Sequence, residues 1–558
     1  MKLRSNFEKG STLWALRLAQ WTALGIAEAD MDKPKIAVIN ASSELSSCYS
    51  HLDGVTATVK QAIRAAGGLP FEVKTTAPSD FIHCAGAAGG YILSSRDLMV
   101  NDIEVAVEGP QLDGMVCLAS CDKTAPAQLM AAARLDIPTI LVIGGYQARG
   151  VYKGAPVDIE DVFESVGKLG AGLDPEALGC MARGAIRSPG VCAGMGTANS
   201  MHLMAEALGM TIPGSAPVAA NSERMFANAA AAGQRIVAMI AEDLRPSRIM
   251  TPEAFRNAAT LALSLSCSIN VMRHLQGVIE EARLDLDIYR VFAGLDGVVP
   301  VLAAIKPNGP DHIDDLDAAG GARAVLGRLR SLLDPAAVNC LGETLDEMLA
   351  DGPEAGPGIA TLDRPIAPGP SLSILRGTLA PAGAIMKLGA STSPDLVHEG
   401  PARVFEAQSA ALEALGAGRI QPGDVVVLRG LGARGGPGVA SASWFAAALA
   451  GSALAGKTAL ITDGQLSGLN RGIVVGQVMP EAATGGPIAA VRDGDRIRID
   501  VAGRRLDLLI DADEMQARLE DMDPRLAAHE GWLGQYQRLV QSLDRGGVLI
   551  GVPPRDHD

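Results

Sequence analysis

Met115-Val-Cys-Leu118, closely followed by Ser120-Cys121-Asp122-Lys123-Thr-Ala-Pro126, is the stretch that decides the fold. The apolar run predicts a buried strand, and Pro126 to Arg134 predicts a helix with a proline near its start. A further apolar run, Thr139-Ile-Leu-Val-Ile143, predicts the next strand. A strand, a helix and a strand in this order indicate a parallel sheet covered by helices.

The same rhythm extends towards the N-terminus. Ile36-Ala-Val-Ile39 predicts a strand, and Val55 to Ala66 predicts a helix that ends at Gly67-Gly68. Residues 351–370 are rich in proline and glycine, which is typical of a domain boundary. We therefore expect an N-terminal α/β domain over residues 1–355 and a second domain over residues 366–558.

The second domain is predicted to be richer in strands. Short strands are predicted at Asp424 to Leu428, Thr458 to Ile461 and Ile488 to Arg492. Ile497 to Val501 and Arg504 to Ile510, separated by Ala-Gly, predict a hairpin. This domain is expected to be a β-barrel or a sandwich, with helices in roughly its last 40 residues.

Composition narrows the function classes. The chain has 558 residues, 48% of them hydrophobic and 20% charged, which is typical of a globular protein. A net charge of -15 and an aromatic content of 3% argue against a nucleic-acid partner. The sequence contains no signal-peptide pattern and no run of about 18 uncharged apolar residues, so we expect neither secretion nor a membrane span. A cytoplasmic location is the expectation, with the eight cysteines free or bound to metal.

Three cysteines lie in polar or glycine-rich loops far apart in the sequence: Cys48, Cys121 and Cys192. Three thiolates brought together by the fold would suit a metal or an iron–sulfur cluster with one coordination position open. The other five cysteines lie mostly in apolar or small-residue surroundings and are expected in the core.

Asp122 and Lys123 follow Cys121 directly, at a junction where open α/β sheets bind ligands. A soft thiolate suits iron, and a hard carboxylate suits magnesium. From this tripeptide alone, a structural loop with a buried cysteine is an equally good interpretation.

Two further glycine-rich segments could carry function. Gly451 to Thr458 matches the phosphate-binding loop pattern, but a helix-like segment precedes it and a strand-like segment follows it. Since the mechanism requires the reverse order, we reject ATP binding. Ser467 lies in a tight loop after a predicted strand, where it could act as a base beside a metal, although an ordinary turn serine is the favoured interpretation from these residues alone.

The chain resembles the dihydroxy-acid and sugar-acid dehydratase family over nearly its whole length. The resemblance rests on several motifs in the right order, among them Ser120 to Pro126, Gly194 to Met201, Leu375 to Pro381, Gly435 to Gly438 and Thr462 to Gly464. It implies an α/β domain, a barrel-like C-terminal domain and a homodimer or homotetramer.

The resemblance also implies roles for particular residues. Cys48, Cys121 and Cys192 would hold an iron–sulfur cluster, most simply 2Fe–2S. Asp80, Asp122 and a carbamylated Lys123 would hold Mg²⁺, and Ser467 would be the catalytic base. The implied reaction removes water from a 2,3-dihydroxy carboxylate and yields a 2-keto-3-deoxy acid.

The sequence departs from the family pattern in places. The dihydroxy-acid branch has a metal-binding glutamate where this chain has Leu431, and the segment Gly531 to Tyr536 is more similar to the sugar-acid branch. We therefore expect a sugar-acid dehydratase slightly more than the dihydroxy-acid dehydratase of branched-chain amino acid biosynthesis. A member of the family that binds a cluster without dehydrating anything is the third hypothesis.

Overall fold

The structure is a computed structural model of the chain. It describes residues 3–166, 173–388, 393, 395–439, 442–466, 472–521, 526 and 528–549. Ser467 therefore lies outside the described residues.

Within the described ranges the strands form two main sheets and one small ribbon. In chain order they are β1 Lys35–Asn40, β2 Leu69–Lys74, β3 Gly114–Ala119, β4 Thr139–Ile143, β5 Gly150–Tyr152, β6 Ala155–Val157, β7 Leu372–Leu375, β8 Gly383–Lys387, β9 Val397–Phe405, β10 Val425–Leu428, β11 Ala459–Thr462, β12 Val474–Met479, β13 Arg496–Asp500 and β14 Arg505–Leu508.

Helices cover the sheets and form most of the segment between them. They are α1 Thr12–Ala23, α2 Leu52–Ala65, α3 Asp80–His83, α4 Tyr91–Glu108, α5 Thr124–Leu135, α6 Ile159–Ser165, α7 Pro175–Ala185, α8 Thr197–Ala207, α9 Glu223–Glu242, α10 Pro246–Ile249, α11 Pro252–Ser264, α12 Asn270–Ala282, α13 Ile288–Leu295, α14 Ile313–Ala318, α15 Gly321–Leu329, α16 Leu345–Ala350, α17 Gln408–Gly416, α18 Ser443–Ala450, α19 Ala512–Glu520 and α20 Gly531–Leu539.

The N-terminal sheet is fully parallel, with the strand order β2-β1-β3-β4. Its central strands β1 and β3 are buried at every position, as expected where helices cover both faces. The predicted α/β domain is confirmed. Because all four strands point the same way, the loops that follow β1 and β3 emerge side by side at the carboxyl edge.

The C-terminal sheet has eight strands in the order β14-β13-β9-β10-β11-β12-β8-β7. A bridge between Arg376, just after β7, and Arg505 in β14 brings the two edges together and nearly closes the sheet. Alternate residues of β10 belong to different cores: Val425 and Val427 face the interior of this sheet, and Val426 faces the core shared with the N-terminal domain. The barrel-like prediction is confirmed.

Most predicted elements agree with the structure, including the hairpin of β13 and β14. The predicted strand at Ile488 to Arg492 is wrong, because Pro487–Ala490 forms a 3-10 helix. Pro487 has a fixed φ suited to the first position of a helical turn, and a short apolar run does not by itself distinguish a strand from a helix. No helix in the described ranges is long and apolar enough to cross a membrane.

Candidate functional site

Three loops meet at the carboxyl edge of the N-terminal sheet. Cys48 lies in the loop after β1, and Cys121 lies in the short loop between β3 and α5. The third loop, which carries Cys192, is held beside the end of β4, since the N–H of Val191 donates to the carbonyl of Gly145 at 2.9 Å. Sequence-distant cysteines are thus placed at one edge of one sheet.

Hydrogen bonds tie the three loops to each other. The Ser120 hydroxyl donates to the carbonyl of Cys48, and the N–H of Gly190 donates to the carbonyl of Ser47 at 3.1 Å. His202 bonds the carbonyl of Ser120 through Nε2 at 2.7 Å. The cysteine loops therefore belong to one connected network rather than to three independent turns.

The thiols interact directly. Cys48 and Cys121 are buried, and their shared hydrogen bond lowers the pKa of Cys48 and raises the pKa of Cys121 well above its ordinary range. Burial raises the pKa of Cys192 well above its ordinary range, and the neighbouring Cys48 thiol acts in the same direction. A bound cation would be needed to hold all three as thiolates.

Oxygen donors lie next to the thiols. Asp80 begins α3, and both of its carboxylate oxygens accept from Lys123 Nζ, at 2.9 and 3.1 Å. Asp122 lies 3.7 Å from the same ammonium, which is fully buried. Burial, reinforced by the neighbouring Asp80, raises the pKa of Asp122 to about 7. Two carboxylates and one lysine therefore share a partly dry pocket beside the thiols.

These groups open onto one cleft that is continuous with solvent. Asp80, Asp122, Cys121 and Cys192 line it from the N-terminal domain. The C-terminal part of the chain contributes further lining residues, which are Ser443, Trp444 and Gln465. Lys123 and Cys48 lie behind this lining, in contact with Asp80 and Cys121 respectively.

The donors fit the implied cofactors by chemical type. Among the described residues, no three His, Cys, Asp or Glu side chains are close enough to hold a single metal ion. A two-iron cluster is larger than one ion, because its protein ligands are distributed over two metal atoms. Mg²⁺ usually keeps several waters and takes only one or two carboxylates. The three thiols and the two carboxylates therefore suit a cluster and Mg²⁺ respectively.

Sequence analysis assigned no role to Asn199, although the motif that contains it had been singled out. Asn199 is buried, and its amide donates to the carbonyls of Cys192 and Gly194, at 2.7 and 2.8 Å. It therefore holds the shape of the third cysteine loop. A polar residue in the first turn of α8, directly after a glycine-rich loop, was the available signal.

Glu160 was also missed. It is buried behind Gly194, and neither of its carboxylate oxygens has a hydrogen-bond partner in the described part of the chain. Burial raises the pKa of this carboxyl well above its usual range. A side chain at Gly194 would begin 1.8 Å from a Glu160 oxygen, so a larger residue there would force the Glu160 carboxyl to move.

Some expectations need correction. Cys84 is only half-buried and lines the cavity, and Cys180 is exposed, so the core interpretation is wrong for these two cysteines.

Two other positions from the sequence analysis are not contradicted. Leu431 is not among the described lining residues, and its N–H donates to Asp463 at 2.9 Å. Ser467 lies outside the described residues, so its role stays a prediction; Gln465, two residues earlier, lines the cavity.

Comparison with known proteins agrees with this architecture. The sequence model for the N-terminal part of the dihydroxy-acid/6-phosphogluconate dehydratases matches residues 33–348, and the model for their C-terminal part matches residues 358–547. The chain belongs to this family, so it is a hydro-lyase of the dehydratase class.

Individual relatives are similar over nearly their whole length. A protein of Methanothrix thermoacetophila named dihydroxy-acid dehydratase is 39% identical over 98% of this chain and 100% of its own length. A protein of the same name from Methanothermobacter thermautotrophicus is 40% identical over 94% of this chain and 96% of its own.

Proposed function

We propose that this protein removes water from a 2,3-dihydroxy carboxylate with a branched apolar chain and releases a 2-keto acid. The observation that carries the proposal is the convergence of thiols and carboxylates on one cavity with largely apolar walls. Soft and hard donors side by side suit a reaction in which one centre takes the leaving hydroxyl and the other binds the carboxylate end.

The walls favour an alkyl chain over a polyhydroxylated sugar chain. Phe81, Ile92 and Phe163 are among the lining residues. The polar side chains deeper in the cavity already have protein partners: Asn199 bonds backbone carbonyls, and Thr197 bonds Ser268 at 2.9 Å. Among the lining residues that the structure describes, few polar groups remain to recognise additional hydroxyls. The names of the relatives support the same choice, so the dihydroxy-acid alternative now ranks above the sugar-acid prediction.

Each site residue receives a role in this proposal. Cys48, Cys121 and Cys192 would hold the iron–sulfur cluster; Asp80, Asp122 and carbamylated Lys123 would hold Mg²⁺. When bound, these groups would supply Lewis acidity at the leaving hydroxyl and at the substrate carboxylate. Ser467 would accept the proton from C2, the C3–oxygen bond would break with loss of water, and the enol would become the keto acid.

The test is anaerobic purification with iron and sulfide analysis, followed by a keto-acid assay with Mg²⁺. Substrates would include 2,3-dihydroxy-3-methyl acids and a set of aldonates. We expect iron in the wild type and keto acid from the methyl-branched acids. Cys121→Ser should lose both, whereas Cys340→Ser, at a buried cysteine that bonds the Thr211 carbonyl at 3.1 Å, should keep both.

Other outcomes separate the alternatives. Product from aldonates alone would restore the sugar-acid prediction. Iron without product from any substrate would favour the cluster-binding member without dehydratase activity. Wild type that binds no more iron than Cys121→Ser would refute the cluster. The cytoplasmic location and the homodimer or homotetramer stay predictions.

A further inference from the structure

The residues that line the cavity are polar and buried at its floor, and aromatic and partly exposed at its mouth. Thr197, Asn199 and Gln465 form a buried polar floor beside the thiols and carboxylates. At the mouth, Phe81 is 37% exposed and Trp444 is 45% exposed. A molecule held at the thiols and carboxylates beside this floor therefore extends its free end past these rings.

The mouth is unusually rich in aromatic side chains. Aromatic residues make up 3% of the chain, yet three of the sixteen residues that line the cavity are aromatic: Phe81, Phe163 and Trp444. We call these three residues the aromatic rim. They come from three separate helices, α3, α6 and α18.

Two residues of the rim are in direct ring contact. The rings of Phe81 and Phe163 meet edge to face, with centroids 5.9 Å apart. Such pairs contribute beyond their buried area and present a ring face to a third group. Phe81 follows Asp80 directly, so the rim begins one residue from the carboxylate assigned to the metal side of the site.

We propose that the aromatic rim is a subsite for a bulky apolar substituent, aryl or long alkyl, on the acid that occupies this cavity. The inference rests on the proposed function for the identity of the acid, but the binding preference itself does not require turnover. The physical reason is that such a substituent removes the exposed rings from water. A small methyl-branched acid would leave most of that surface exposed.

The first measurement is calorimetric binding of two probes to the anaerobically purified protein in Mg²⁺ buffer. Lactate and 3-phenyllactate share the 2-hydroxy carboxylate end and differ by a phenyl group, and neither has the 3-hydroxyl that the reaction removes. We expect 3-phenyllactate to bind about tenfold more tightly or better. Equal affinities for lactate and 3-phenyllactate overturn the proposal. A rim covered by another chain would also give this result.

Variants locate the effect. Trp444→Ala should reduce the preference for 3-phenyllactate to about threefold or less while leaving lactate binding unchanged. Trp444→Leu keeps an apolar side chain, so its preference for 3-phenyllactate should lie between those of the wild type and Trp444→Ala. This variant replaces Trp444→Ala in the test if the alanine variant does not fold. Trp14→Ala alters an aromatic residue in a different pocket and should keep the full preference. A preference that survives in both Trp444 variants overturns the proposal.

A turnover assay keeps the two proposals separate. We expect 2,3-dihydroxy-3-phenylpropanoate to give a higher kcat/KM than 2,3-dihydroxy-3-methylbutanoate. If no dihydroxy acid reacts while the Trp444-dependent preference persists, the proposed function fails and the subsite stands. If the methyl acid reacts while the two probes bind equally, the proposed function stands and the subsite fails.

Discussion

Two pairs of carboxylates in this molecule, one partly buried and one buried, differ in their partners. Asp80 and Asp122 lie at the cavity, next to each other and to the Lys123 ammonium. Asp463 and Glu481, in the C-terminal domain, accept backbone N–H groups. A carboxylate surrounded by backbone amides shapes loops, whereas carboxylates paired with each other at a cavity are available to a ligand. Perturbed pKa values occur in both pairs, so the partners, not the shifts, distinguish them.

The largest effect is expected in the amide-bound pair. Asp463→Ala removes the acceptor of the N–H groups of Gly430, Leu431 and Ala482 and should lower the free energy of unfolding by about 4 kcal/mol. Iron per folded chain should stay unchanged, since none of these groups reaches the cysteines. Urea unfolding and iron analysis measure the two quantities. Asp363→Ala, at a 75% exposed side chain, should change neither.

Replacing the lysine beside the cavity pair should lower both stability and activity. Lys123→Met leaves two neighbouring carboxylates without their cation and should destabilise the metal-free protein by about 3 kcal/mol. Dehydratase activity should be lost as well. Lys9→Met, in an exposed pair with Glu28, should cost less than about 1 kcal/mol and retain activity. Full activity of Lys123→Met would contradict the proposed role of Lys123, Asp80 and Asp122 in the dehydration.

Glu481 predicts a pH dependence in the amide-bound pair. Burial, followed by the nearby Asp463 charge, raises its pKa from 4.5 to about 7. The unfolded chain releases this proton near the lower value and the folded chain near the higher one, so stability falls as pH rises between them and is constant above. Glu481→Gln should reduce this loss by on the order of 2 kcal/mol.

Unfolding of wild type and Glu481→Gln at several values between pH 4.5 and 7 checks the slope. Glu413→Gln, at a 76% exposed side chain, provides the baseline. Parallel curves for wild type and Glu481→Gln would show that this carboxyl does not carry the dependence.

The smallest effect concerns the third cysteine loop. Asn199→Ala removes two hydrogen bonds to loop carbonyls and should cost about 1 to 2 kcal/mol. Iron should be lost faster on dialysis than from wild type, because Cys192 is no longer held in place. Asn101→Ala, which removes a bond to an α4 carbonyl instead, should retain iron at the wild-type rate.

Sequence reasoning predicted the parts of the molecule that depend on local pattern. The strands β1, β3 and β4 each contain a run of apolar residues, so they could be recognised without tertiary information. The aromatic rim could not, because Phe81, Phe163 and Trp444 become neighbours only through the packing of three distant helices. The burial of Glu160 could not be predicted for the same reason. The sequence around it does not indicate that this helical glutamate is buried behind Gly194.

The hydrogen bonds that join the three cysteine loops are made by backbone and hydroxyl groups. The thiol groups, which would bind the proposed cluster, take no part in them. Contacts that do not involve the thiols therefore hold the cysteine loops together. If the proposed cluster occupies this site, its removal would leave these contacts in place. We would then expect the iron-free chain to keep the loop arrangement and to take up a new cluster without refolding.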